Sequence, residues 1–139
     1  MSGASEQRVL AVSALALALL TILWGAGWAV REATDEDPTR LALMVNCLER
    51  EYGLEVVVPA GDPLADSAPG GALRTTIGGN VVVVSVWDSA DDAAETLETY
   101  ARLTPESLEG RAVPRGRTAN LWAEPATGEQ STVLYGCVR

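Results

Sequence analysis

The 22 residues from Val9 to Val30, VLAVSALALALLTILWGAGWAV, carry no charge, and no other segment restricts the fold of this chain so strongly. At 1.5 Å per residue a helix of that length reaches roughly 30 Å, the thickness of the hydrocarbon core of a bilayer. The run reads as a transmembrane helix contacting the lipid bilayer, with residues 1–8 as a short tail before it. A cleaved secretory leader is the competing reading, since Met1 to Arg8 resembles a short n-region and Gly27-Trp28-Ala29 offers small residues at a cleavage position. Signal h-regions usually span about 7 to 15 residues, so the longer run here favours an uncleaved signal anchor. The first cysteine is Cys47, which leaves no residue for lipid attachment directly after the run.

Within the run, Trp24 and Trp28 fall near the far end, at the depth where indoles settle among lipid headgroups, although apolar filling accounts for them nearly as well. Ala14, Ala18, Thr21 and Gly25 line one helix face with small side chains. Such a stripe would admit a second helix, in a homodimer or a larger membrane complex, and alanine-rich spans also produce it by chance.

Flanking charge does not settle orientation, with Arg8 on one side of the run and Arg31 and Arg40 on the other. The short leading tail and the pair of cysteines in the trailing part favour a single-pass cell-membrane protein whose C-terminal domain lies outside the cytoplasm. The net charge is −9, and Glu6 and Arg8 cancel, so the acidity belongs to the part after the run. A surface of that sign disfavours nucleic acid as a partner.

Residues 31–37, REATDED, read as an acidic neck. A metal site from Asp35, Glu36 and Asp37 is not expected, because consecutive carboxylates point apart. Asp37-Pro38 instead looks like a helix start, with an acceptor at the N-cap and proline at the first helical position.

The remainder, residues 38–139, has the length of one domain. A helix is expected from Pro38 to about Tyr52, with Leu41, Met44, Val45, Leu48 and Tyr52 on one stripe and Gly53 at its end. Leu54 to Val58 reads as a strand and Pro59 to Gly71 as a loop, in which Asp62 and Asp66 are more readily solvated than metal-bound. Ala72 to Ile77 and Val81 to Trp87 flank Gly78-Gly79-Asn80 and predict a β-hairpin. The second arm, VVVVSVW, suits a central strand covered on both faces.

A second helix should start near Ser89, capped by Asp88 or Ser89, and end before Pro105. Its acidic start lacks the alternating ligands and central glycine of a calcium loop. Thr118 to Glu124 and Ser131 to Val138 then read as two closing strands. The resulting order, α-β-β-β-α-β-β, predicts an α+β domain of two helices on a mainly antiparallel sheet, and if the arm Ala72 to Ile77 is an addition, what remains is a permuted ferredoxin-like plan.

Cys47 and Cys137 stand near the two ends of this domain. A disulfide between them would close a loop of about 90 residues and stabilise the fold by roughly 4 to 5 kcal/mol in the chain-entropy model. Two free thiols or a redox pair are the alternatives, and the C-x-x-C spacing of a redox centre is missing. Arg111, Arg115 and Arg117 in GRAVPRGR interrupt an otherwise acidic domain. They form a weak candidate anion site, against a plainer reading in which they pair with Glu106 and Glu109.

Catalytic chemistry is hard to assemble. Histidine is absent and every basic side chain is an arginine, so the usual general bases are lacking. No zinc site, other metal site or cofactor is expected. The chain reads as a non-catalytic, membrane-anchored extracytoplasmic interaction or ligand-binding domain. An accessory subunit recruited through the membrane helix is the alternative, and a tethered hydrolase using paired carboxylates is a more remote one.

Overall fold

The computed structural model describes residues 38–138, which belong to the second of two units, Met1–Asp35 and Glu36–Arg139. The apolar run at 9–30, Trp24, Trp28, the stripe of Ala14, Ala18, Thr21 and Gly25, and the neck at 31–37 with its Asp37 cap lie outside the described residues. Among the described residues no helix is long and apolar enough to cross a membrane.

The elements are α1 (Pro38–Tyr52), β1 (Val56–Val57), α2 (Pro63–Asp66), β2 (Ala72–Ile77), β3 (Asn80–Val86), α3 (Ala90–Leu103), β4 (Ala112–Arg115), β5 (Thr118–Trp122) and α4 (Gly128–Cys137). All five strands pair antiparallel in the order β1-β2-β3-β5-β4. The class is α+β, and β3 occupies the centre. Its hairpin with β2 turns through Gly78 and Gly79, both at positive φ (56° and 77°), with Ile77 opposite Asn80. Two successive residues in that region are what a tight hairpin turn needs.

Strand alternation divides the core between two faces. On one face Leu73, Ile77, Val82, Val84, Val86 and Trp122 meet Met44 and Leu48 of α1 and Leu134 of α4. On the other, Ala119 with Leu121 packs against Ala93, Leu97 and Tyr100 of α3, while Ala72 and Val83 pack with Ala60 and Ala65 around α2. The central strand is covered on both sides, as its apolar sequence implied. The permuted ferredoxin-like plan does not hold, because α3 lies on the face opposite α1 and α4, whereas that plan keeps its helices together.

Further expectations are corrected. Ser131 to Val138 is not a closing strand. From Gly128 to Cys137 the chain is helical, and Thr127 and Gln130 form a reciprocal capping box at its start. The buried residues Leu134, Cys137 and Val138 fit one helical face rather than the alternation of a strand. Residues 110–117, given no helix or strand in the sequence-based order, contain β4, which tolerates Pro114 because it is an edge strand of the sheet. The strand expected at Leu54 to Val58 is confined to Val56–Val57, and the loop from Pro59 to Gly71 contains the single turn α2.

Cys47 of α1 and Cys137 of α4 are joined by a disulfide, their Cα atoms 5.6 Å apart. Helix α3 starts at the Ser89 cap, whose side chain accepts from the Asp92 N–H. Asn80 ties the hairpin to the chain beyond β5, donating to the Glu124 carbonyl at 2.9 Å and accepting from its N–H at 3.0 Å.

Gly70 passes so close to β3 that a Cβ there would stand 2.6 Å from Val86 Cγ1 and 2.9 Å from the Val86 carbonyl oxygen. Backbone cannot yield as a flexible side chain does, so Gly70→Ala is expected to lower stability by about 1 to 3 kcal/mol. Urea unfolding followed by tryptophan fluorescence checks this. An unchanged midpoint would show that the segment before β2 is not held against β3.

Candidate functional site

The β4–β5 hairpin builds one end of the sheet into a basic cleft. Arg115 stands opposite Thr118 in the register, which aims both at the face shared by Trp122 and α4. There the Arg115 guanidinium lies over the Tyr135 ring, 4.5 Å from its centroid. Tyr135 is itself fixed from below, since its hydroxyl accepts from Nε1 of the fully buried Trp122 at 3.3 Å. The turn is Gly116-Arg117, with Gly116 at φ 56°. Thr118 locks it by donating from Oγ1 to the Arg115 carbonyl at 2.7 Å, while the same oxygen accepts from Asn120 Nδ2 at 3.0 Å.

Arg40, from the first turn of α1, completes the cleft, which encloses about 280 Å³ and is also lined by Val138. Among the described residues that line it there is no carboxylate. A guanidinium stacked on an aromatic ring keeps its edge N–H groups directed outward, where they can grip an oxyanion in pairs. The arrangement suits anion recognition, with the arginine orientation set by a chain of contacts that begins in the core.

The structure divides the arginines that the sequence grouped. Arg115 and Arg117 line the cleft, but Arg111 does not; its Nε donates to the Trp122 carbonyl at 3.0 Å and its Nη1 lies 3.8 Å from Glu106. Arg40 was not among the expected residues. Nothing in local sequence links it to a hairpin 75 positions later; only the packing of α1 against α4 brings it there.

A second cleft, of about 360 Å³, lies on the α3 face and is lined in part by Trp87, Asp92, Glu95 and Leu64. Trp87 Nε1 donates to Ser85 Oγ at 2.9 Å. Asp92 and Glu95 sit one turn apart on the same helix, so they stand side by side rather than across from each other. Two carboxylates flanking a glycosidic bond must face each other across the substrate.

Asp62 and Asp66 hold the loop before β2 in shape. Asp62 accepts from the Leu64 and Ala65 N–H groups, and Asp66 from those of Ala60 and Gly61. Asp62 also accepts from the Tyr100 hydroxyl at 2.8 Å, which pins the loop to α3. Glu51 lies beside Cys47 and Cys137, but sulfur held in a disulfide offers no thiolate to a metal. No protein-family model, curated protein or solved structure matches the chain.

Burial, and then the neighbouring Asp62 carboxylate, raise the Tyr100 pKa above the ordinary tyrosine value of 10.0. In the unfolded chain that phenol ionises near its ordinary value, while in the fold it resists. The associated stability is therefore complete below pH 10 and is lost as pH rises further. Tyr100→Phe is expected to lower stability at pH 7 by about 1 kcal/mol, through loss of one hydrogen bond, and to flatten the decline above pH 10. Urea midpoints measured from pH 7 to pH 11 check both effects, and parallel curves for the two proteins would contradict the assignment.

Proposed function

We propose that this chain is a membrane-anchored, non-catalytic binding domain displayed outside the cytoplasm. The observation that carries the reading is the disulfide between Cys47 and Cys137, because such bonds persist in oxidising compartments and are rare in the cytosol. The uncharged run at 9–30 supports the anchor, being long enough for a bilayer and longer than a typical leader.

Ligand capture in the arginine cleft is better supported than docking through a bare sheet face, since apolar residues of both faces pack beneath helices. The exposed large apolar side chains are spread over separate elements, with Leu43 and Tyr52 on α1, Val57 in β1, Val58 just after it and Leu103 on α3. Isolated residues of this kind are ordinary on a protein surface. The lack of opposed carboxylates in the described clefts, together with the absence of histidine, supports a binding role over hydrolysis.

Thiol labelling of intact cells with a membrane-impermeant maleimide tests the placement. Cys47 and Cys137 should be unreactive in untreated cells and react once an impermeant reductant is added outside. Labelling that requires cell lysis would place the domain inside. Recovery of a shortened chain from the culture medium would replace the anchor with a cleaved leader.

A further inference from the structure

We propose that the cleft formed by Arg40, Arg115 and Tyr135 is a binding site for a phosphoryl group. This deepens the ligand-binding reading and fails separately from it, because the thiol-labelling pattern does not depend on which anion is bound.

The inference starts from direction. Arg40 enters from the first turn of α1 and Arg115 from the end of β4, so the two guanidinium groups reach the cleft from separate elements. A carboxylate is planar and is well satisfied by a single arginine fork. A phosphoryl group is tetrahedral and offers three strong acceptor oxygens, which can engage arginines arriving from different sides.

The cleft is also prepared in advance. Trp122 orients Tyr135 and the Arg115 guanidinium rests over that ring, which biases one arginine toward the cleft before any ligand arrives. Arg40 makes no hydrogen bond or ion pair with another described residue. Arg117 also lines the cleft. A volume of about 280 Å³ admits a phosphate together with a small organic substituent. The phosphoryl group can belong to a soluble ester or to a lipid headgroup, and both offer the same oxygens.

The test uses the full chain in a zwitterionic detergent without phosphate, titrated calorimetrically with inorganic phosphate and, separately, with acetate at matched ionic strength. Phosphate should bind at least tenfold more tightly than acetate. Arg115→Ala and Arg40→Ala should each weaken phosphate binding about tenfold, as expected for loss of a charge-assisted contact. Arg50→Ala and Arg102→Ala, at exposed arginines outside the cleft, should leave it within twofold. Tyr135→Phe keeps the ring under Arg115 but removes the acceptor for Trp122 Nε1, and should weaken phosphate binding measurably but by less than Arg115→Ala does. Circular dichroism of each variant verifies its fold.

Nanodiscs separate the sources. Phosphate binding that is suppressed in discs containing phosphatidate, but not in discs of equal charge made with a carboxylate lipid, assigns the site to a headgroup. Equal binding in both assigns it to a soluble phosphate. Equal affinity for acetate and phosphate, no phosphate binding, or full binding by both cleft variants would overturn the proposal.

Discussion

The disulfide between α1 and α4 is the constraint on which one entire face of the domain depends. Helix α4 is a poor helix by its own sequence, with ten residues that include Thr132, Val133, Tyr135 and Gly136. A helix that short is marginal in isolation, and β-branched and aromatic side chains lose rotamer freedom in it. Three things external to its propensity hold it: the Thr127 and Gln130 capping box, burial of Leu134, and the bond from Cys137 to Cys47. Joining positions 90 apart also removes freedom from the unfolded chain, roughly 4 to 5 kcal/mol in the loop-entropy model. Without α4, Trp122 would lose part of its cover and Tyr135 would have no fixed place under Arg115.

The same helix marks where sequence reading reaches its limit. STVLYGCV has the composition of a strand, and the alternation it offers is plausible because β-branched and aromatic residues dominate. The contrary signal was present in the four residues before it, since Thr127-Gly128-Glu129-Gln130 carries the spacing of a capping box. Tertiary packing decided in favour of the cap. Features that depend on backbone permission were legible instead: the glycine pair of the β2–β3 turn, the Ser89 cap of α3 and the doubly covered β3 follow from local chemistry. Strand β4 was obscured because Pro114 and the arginines look like loop residues, yet both are well placed on an edge that must not recruit another strand. The placement of α3 opposite α1 and α4 has no local signature, because it reflects which side of β3 the chain leaves from.

The candidate cleft was half legible for a related reason. Three arginines within seven residues appear as a cluster on paper, but a strand rises about 3.3 Å per residue and separates positions 111 and 115 by roughly 13 Å. Arg111 therefore ends beside the Trp122 carbonyl at the opposite end of the hairpin from the turn. Its place is taken by Arg40, delivered by helix packing that no local window of sequence reveals.

The proposed binding cleft sits in a chain whose net charge is −9, and this combination limits how it would recognise a ligand. Carboxylates elsewhere on the surface repel an approaching anion at long range, while the arginines attract it only once it is near. At physiological ionic strength the screening length is about 8 Å, so the distant repulsion is largely muted and the short-range contacts dominate. Recognition by bulk charge would favour any polyanion and suit a basic protein. Here the attraction is confined to a small recess whose described lining residues include no carboxylate, with one arginine placed over an aromatic ring, so selectivity has to come from hydrogen-bond geometry. A small ligand that enters the recess gains those bonds, whereas an extended polyanion would have to lie across the acidic surface around it.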